Sequence, residues 1–173
     1  MTGKSGCSLH WGGLDKAMLK AGHHLANTEA LMESIGEALV SGTIKRFAAG
    51  KSPDGKDWQP SGRALAEGGQ TLVDTGAQRN SIDYATSPGK VVVGTNKEYA
   101  RIHQFGGTIK PKKGKFLKFK GQNGKDVFVE EVTLPPRPFI GVSKEDLEEV
   151  KGTISDFIAG AFGVGGSSGR GGK

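Results

Sequence analysis

Apolar residues recur at helical spacing from Leu14 to Phe47: Leu14 and Met18, then Leu31, Ile35 and Leu39, then Ile44 and Phe47. The pattern predicts a long amphipathic helix with a break near His23 to Thr28, where Asn27 or Thr28 would cap the second part. Gly36 and Gly42 interrupt it, each weakening a helix by about 1 kcal/mol relative to Ala, so packing on a sheet or another subunit must compensate. From Gly50 to Gly69 the periodicity stops. This stretch reads as a loop with a turn at Ser52-Pro53-Asp54-Gly55 and Trp58 as its one large apolar anchor.

Farther along, Gln78 to Ile82 suits a short helix, and Ile82 to Thr86 with Lys90 to Gly94 form a hairpin around Ser87-Pro88-Gly89. Glu98 to Phe105 reads as a brief helix with Tyr99, Ile102 and either His103 or Phe105 inward, stopped at Gly106-Gly107. A second hairpin pairs Phe116 to Lys120 with Val127 to Val132, and its alternation separates an apolar face from a basic one. Pro135-Pro136-Arg137-Pro138 is a rigid strut, since proline lacks the N–H and fixes φ. Ser143 opens a last helix with acids in its first turns and Leu147, Val150, Ile154, Phe157 and Ile158 as the buried face. The predicted fold class is α+β: a long N-terminal helix and a C-terminal helix packed on a small, mainly antiparallel sheet of two hairpins, with long Gly/Pro-rich loops.

Composition refines this. The 173 residues suit one domain, taken as 1–162, followed by a flexible Gly/Ser-rich tail at 163–173 and preceded by a mobile N-terminus. With 29 glycines and an apolar fraction of 35%, parts of the chain are expected to order only against neighbours. A lone Cys7 excludes an internal disulfide and a multi-cysteine zinc site, and fits a reducing cytoplasm. No apolar run approaches the roughly 18 residues of a membrane span, and residues 1–10 lack the apolar stretch of a secretory signal, so a soluble, unexported protein is expected. The net charge of +6 is uneven. Lys110, Lys112, Lys113, Lys115, Lys118, Lys120 and Lys125 fall in one stretch almost free of acids, which marks either a solvated hairpin, a protein-contact surface or a phosphate-facing patch. No Arg or aromatic ladder accompanies them, which favours the first two.

Leu72-Val73-Asp74-Thr75-Gly76-Ala77 carries the one candidate chemistry. Asp-Thr-Gly from each of two subunits is how retropepsin-like aspartic proteases bring two carboxylates onto one proton and one water, which would make Asp74 catalytic in a homodimer. Phe139-Ile140-Gly141 sits roughly where such proteases carry a second apolar pair and Gly before a helix. Against this, the proteases are all-β, whereas the chain ahead of Asp74 reads as helical. The competing reading is that Asp74 or Thr75 caps a short helix. Gly50-Lys51-Ser52 lacks the first Gly of a phosphate loop, since position 45 is Lys45. The four histidines form no metal-ligand pattern, so neither metal nor cofactor is expected.

Arg46-Phe47, Pro53-Asp54-Gly55 with Trp58, Leu72 to Gly76 with Ser81-Ile82, Val93-Gly94-Thr95-Asn96, Tyr99-Ala100-Arg101-Ile102-His103-Gln104-Phe105-Gly106-Gly107, and Pro136-Arg137-Pro138-Phe139-Ile140-Gly141 follow one another in order. Together, over roughly Ile35 to Phe162, they resemble the phage virion morphogenesis family, which takes in protein G of Mu-like phages and is similar to the tail completion proteins of tailed phages. Gln78 departs from the pattern, standing where the family usually has Leu. The resemblance implies a non-enzymatic structural protein of the head-tail junction, a neck or tail completion or terminator component assembled as a homo-oligomeric ring. It would meet neighbouring neck or tail proteins, reside in the virion after assembly in the host cytoplasm, and involve no membrane. Trp58, Asp74, Thr75, Gly76, Tyr99, His103, Phe105, Gly106, Pro138 and Phe139 would then be structural motif residues. The lysines from Lys110 to Lys120, with Arg137, would form the contact surface, toward an acidic neighbouring ring or, non-specifically, toward DNA in the lumen.

Overall fold

The computed structural model describes residues 19–23, 26–120 and 125–162. Expectations for Cys7, the N-terminal 18 residues, the hairpin tip at 121–124 and the tail at 163–173 lie outside the described residues. Helical residues at 19–23 precede α1 (Glu29–Ala49), so the predicted break is present. Thr28 stands at the N-cap of α1, but its side chain accepts no capping hydrogen bond. The helix ends on Gly50, whose left-handed backbone (φ 68°) lets its N–H reach the Arg46 carbonyl at 2.8 Å.

The predicted α+β architecture is present, and all strand pairs are antiparallel. Among the described residues there are three two-stranded ribbons where two hairpins were expected. β1 (Ile82–Ser87) and β2 (Lys90–Thr95) pair in the register Ser87↔Lys90 to Ile82↔Thr95 around Pro88-Gly89. β3 (Gly107–Ile109) pairs with β6 (Val132–Leu134), and β4 (Leu117–Lys120) with β5 (Asp126–Val129). The second hairpin is therefore shorter than predicted: the chain turns away after Val129, and Val132 serves the β3 ribbon instead. β3 escaped the sequence reading because three residues starting on glycine carry almost no alternation.

Short helices complete the fold. α2 (Gly62–Glu67) lies inside the predicted loop, started by Ser61, whose hydroxyl accepts from the Ala64 N–H at 3.2 Å. α3 (Ala100–Phe105) buries Ala100. Tyr99, expected inside, is 44% exposed, and of the two alternatives it is His103 that is partly buried, while Phe105 is 72% exposed. α4 (Lys144–Ala161) begins with a capping box in which the Ser143 hydroxyl accepts from the Asp146 N–H and the Asp146 carboxylate accepts from the Ser143 N–H.

α1 is the central strut, touching the β1–β2 hairpin on one side and α4 on another. Its two internal glycines explain the contacts. A Cβ on Gly36 would lie 2.4 Å from the Tyr84 ring, and one on Gly42 would lie 1.9 Å from Oδ1 of Asp146. The helix gives up propensity at both places to let a neighbour approach. Phe47 and Phe139 are fully buried and form the core centre with Trp58, at ring separations of 5.2 Å and 5.6 Å from Phe47. Two apolar faces stay open. Ile44 of α1 is exposed, and so, on α4, are Leu147, Ile154 and Ile158, which were predicted to be buried.

Candidate functional site: a clamped core segment and an open basic arm

Residues 135–139 form no helix or strand, so the backbone groups of this segment need partners from elsewhere. One backbone carbonyl and three side chains supply them. The Arg137 N–H donates to the His103 carbonyl at 2.7 Å, and Trp58 Nε1 donates to the Pro138 carbonyl at 2.8 Å. Gln104 Oε1 accepts from the Phe139 and Ile140 N–H groups at 2.9 and 3.1 Å, while its Nε2 donates to the Ile140 carbonyl at 2.9 Å. Arg46 Nε donates to the Phe139 carbonyl at 3.1 Å and Nη2 to the Gly141 carbonyl at 2.9 Å. Seven backbone groups between Arg137 and Gly141 are thus satisfied by residues that are scattered over the chain.

Arg46 also secures α4. Its Nη1 forms a buried ion pair with Oδ2 of Asp146, and its Nη2 donates to the Thr43 hydroxyl at 2.8 Å. Burial pushes the Asp146 carboxyl up, but the Ser143 N–H and the Arg46 guanidinium outweigh it and hold the pKa below the ordinary 3.8. The sequence reading had counted Asp146 only as a helix-dipole charge. Nothing in the sequence pairs residues 46 and 146, which stand 100 positions apart.

Arg137 was predicted to be an interface residue. It is 4% exposed, and its guanidinium donates to the Gln59 carbonyl at 2.7 Å and the Pro60 carbonyl at 3.3 Å. It holds the loop ahead of α2 and presents no surface charge to a partner. His103 stacks edge-on to Tyr99 at 6.1 Å, and burial, with the nearby Arg137 charge, lowers its pKa. At Gly106 a backbone at φ 70° and an approach to Pro136 N, 2.8 Å from where a Cβ would lie, leave room only for glycine.

The Asp74 turn has a different shape from either sequence reading. Thr75 Oγ1 accepts from the Ala77 N–H at 3.3 Å, and the Asn80 N–H reaches the Gly76 carbonyl at 2.9 Å. This folds a turn ahead of the single 3-10 turn at Arg79–Ser81, whose N-cap is Gln78 with no side-chain cap. Neither Asp74 nor Thr75 caps a helix. The Asp74 side chain is 74% exposed, with Arg63 Nη1 3.8 Å away. Asp74 opens onto a 360 Å³ cleft whose wall includes Arg63, Gln78, Tyr99, His103 and Arg137 and no second carboxylate from this chain. Gln78, the departure from Leu, is buried all the same, and its Nε2 has no protein partner.

Lys110, Lys112, Lys113, Lys115, Lys118 and Lys125 are exposed. Lys112, Lys113 and Lys115 form an open bend between β3 and β4. The structure adds acids that linear distance concealed: Lys110 pairs with Glu131 at 3.1 Å and Lys118 with Asp126 at 2.8 Å. Lys120 closes β4. Phe128 sits opposite Lys118, whose ammonium lies 5.6 Å from the ring, so the basic face carries an aromatic that the alternation of β4 alone did not show. No group of His, Cys, Asp and Glu among the described residues could hold a metal ion, and no described helix is long and apolar enough to cross a membrane.

Comparison with known proteins agrees with the motif order. No solved structure matches the chain. It is 28% identical over 145 residues to the Mu-like prophage FluMu G protein 2 of Haemophilus influenzae, an alignment that covers 84% of this chain and 88% of that one. The model of the phage virion morphogenesis family matches residues 9–159, so the chain belongs to that family.

Proposed function

We propose that this protein is a non-enzymatic structural component of the head-tail junction, acting as a ring at the neck or the tail end to complete the particle. Family membership gives it a role in phage virion morphogenesis. The observation that carries the finer reading is where the motif residues go. Arg46, Trp58, Gln104 and Phe139 all meet in one buried clamp around the 137–141 segment, holding backbone and leaving no reactive group poised on a substrate. The two open apolar faces and the lysine-bearing arm support a surface completed by protein neighbours, the ring itself and adjoining neck or tail proteins. Asp74 as a protease residue draws no support from its surroundings, being exposed beside Arg63 on an α+β framework.

Micrographs of particles produced without this protein test the proposal. Filled heads lying apart from finished tails are expected. Intact tailed particles would overturn the reading.

A further inference from the structure

Leu147, Ile154, Ile158 and Phe162 follow the spacing i, i+7, i+11 and i+15, which places them on one stripe at and beside α4. They are 47, 37, 44 and 57% exposed, because α4 turns a neighbouring stripe inward, with Asp146 and Ala161 buried and Val150 and Phe157 half-buried. Lys151 falls on the exposed stripe, held at 2.7 Å by Glu148. A further open apolar face belongs to the β4–β5 arm. Leu117 and Phe119 stand on the arm's apolar side opposite Val129 and Val127. Together with Ile109, Val132, Leu134 and Ala66 they line a groove of 770 Å³ between the arm and α2.

We infer that the exposed stripe of α4 in one copy docks into the arm groove of the next copy, head to tail. This deepens the ring reading above and rests on it. Charge selects the pairing. α4 exposes Glu145, Glu148, Glu149 and Asp156 against Lys144 and Lys151, whereas the arm and its flank expose Lys110, Lys112, Lys113, Lys115, Lys118 and Lys125 against Asp126, Glu130 and Glu131, and Glu67 in the groove wall is offset by Arg63, so the arm keeps a net positive charge. Stacking α4 on α4, or arm on arm, brings like charges together, while α4 on the arm brings opposite charges around a shared apolar centre. Among the described residues both faces remain open, and the Arg46–Asp146 ion pair fixes the start of α4, so neither face covers the other. A contact between two different patches, repeated by every copy, closes into a ring or runs on as a filament.

Sedimentation velocity of the full chain and of two variants, Ile158→Glu and Phe119→Glu, tests this. Both positions are more than a third exposed, so the fold should survive, with far-UV circular dichroism as the check. The wild type should sediment as a closed oligomer that loosens as salt rises. Each variant should be monomeric. Mixed in equal amounts they should form a species of twice the monomer mass and nothing larger, because one intact α4 then meets one intact groove. A variant that keeps the wild-type oligomer overturns the interface and leaves the ring reading standing. Monomeric variants whose mixture stays monomeric overturn the head-to-tail pairing. A wild type that is monomeric at every concentration overturns the ring reading along with it.

Discussion

Gln104 and Ile140 exchange two hydrogen bonds, the side-chain carboxamide of one taking both the N–H and the carbonyl of the other. A planar amide here does what a neighbouring strand would do, and it also accepts from the Phe139 N–H. Gln104→Ala leaves three backbone groups without partners, each costing about 1–3 kcal/mol when buried. Urea unfolding should show a loss of at least about 2 kcal/mol. A loss below about 0.5 kcal/mol would mean that the clamp is decoration.

Asp146 receives Arg46 and its own N-cap residue at once. Removing one member of a buried ion pair strands the other, so Asp146→Asn should cost about 3–5 kcal/mol. The folded pKa of Asp146 lies below its unfolded value of about 3.8. The carboxylate therefore adds stability that is complete above that value and is lost as pH falls through the lower, folded pKa. Thermal melts of the wild type should fall steeply below about pH 4, and the Asn variant should show a shallower fall over the same range.

Gly42→Ala separates helix propensity from packing. In a free helix the change is favourable by about 1 kcal/mol. Here the new methyl group would lie 1.9 Å from Asp146 Oδ1, and overpacking typically costs about 1–3 kcal/mol. The melting temperature should drop. A rise would show that α1 and α4 are not held at this separation.

His103 should give the protein a mild pH response of its own. Its folded pKa is lowered by burial and by Arg137, so the unfolded chain takes up a proton that the folded one resists. The stability it contributes is complete above the unfolded value of about 6.5 and is lost as pH falls toward the folded pKa. Between pH 7 and pH 5 the wild type should lose stability, and His103→Gln should remove most of that slope.

Strong periodicity made the long helix, its break, the Val91 hairpin and the Ser143 helix start legible in the sequence. The same periodicity misplaced the inner faces. In α4 the apolar residues occupy two adjacent stripes, and only the stripe beside Asp146 turns inward; a pattern of apolar residues does not say which face finds a partner within the chain. Tyr99 was misplaced, and the choice between His103 and Phe105 stayed open, for a related reason: in a helix as short as α3 Ala100 and the Gln104 clamp fix the inward side. Arg137 looked like surface charge because its partners are backbone carbonyls at Gln59 and Pro60, which no side-chain pattern reveals. The motif order was readable and its purpose was not, because the clamp joins residues nearly a hundred positions apart.

The most direct test of the structural reading is an add-back assay with particles made without this protein. Purified wild-type protein and Asp74→Asn should join separated heads and tails equally well, giving infectious particles in similar numbers. Failure of both proteins to join them, or failure of a well-folded Asp74→Asn alone, would contradict the account.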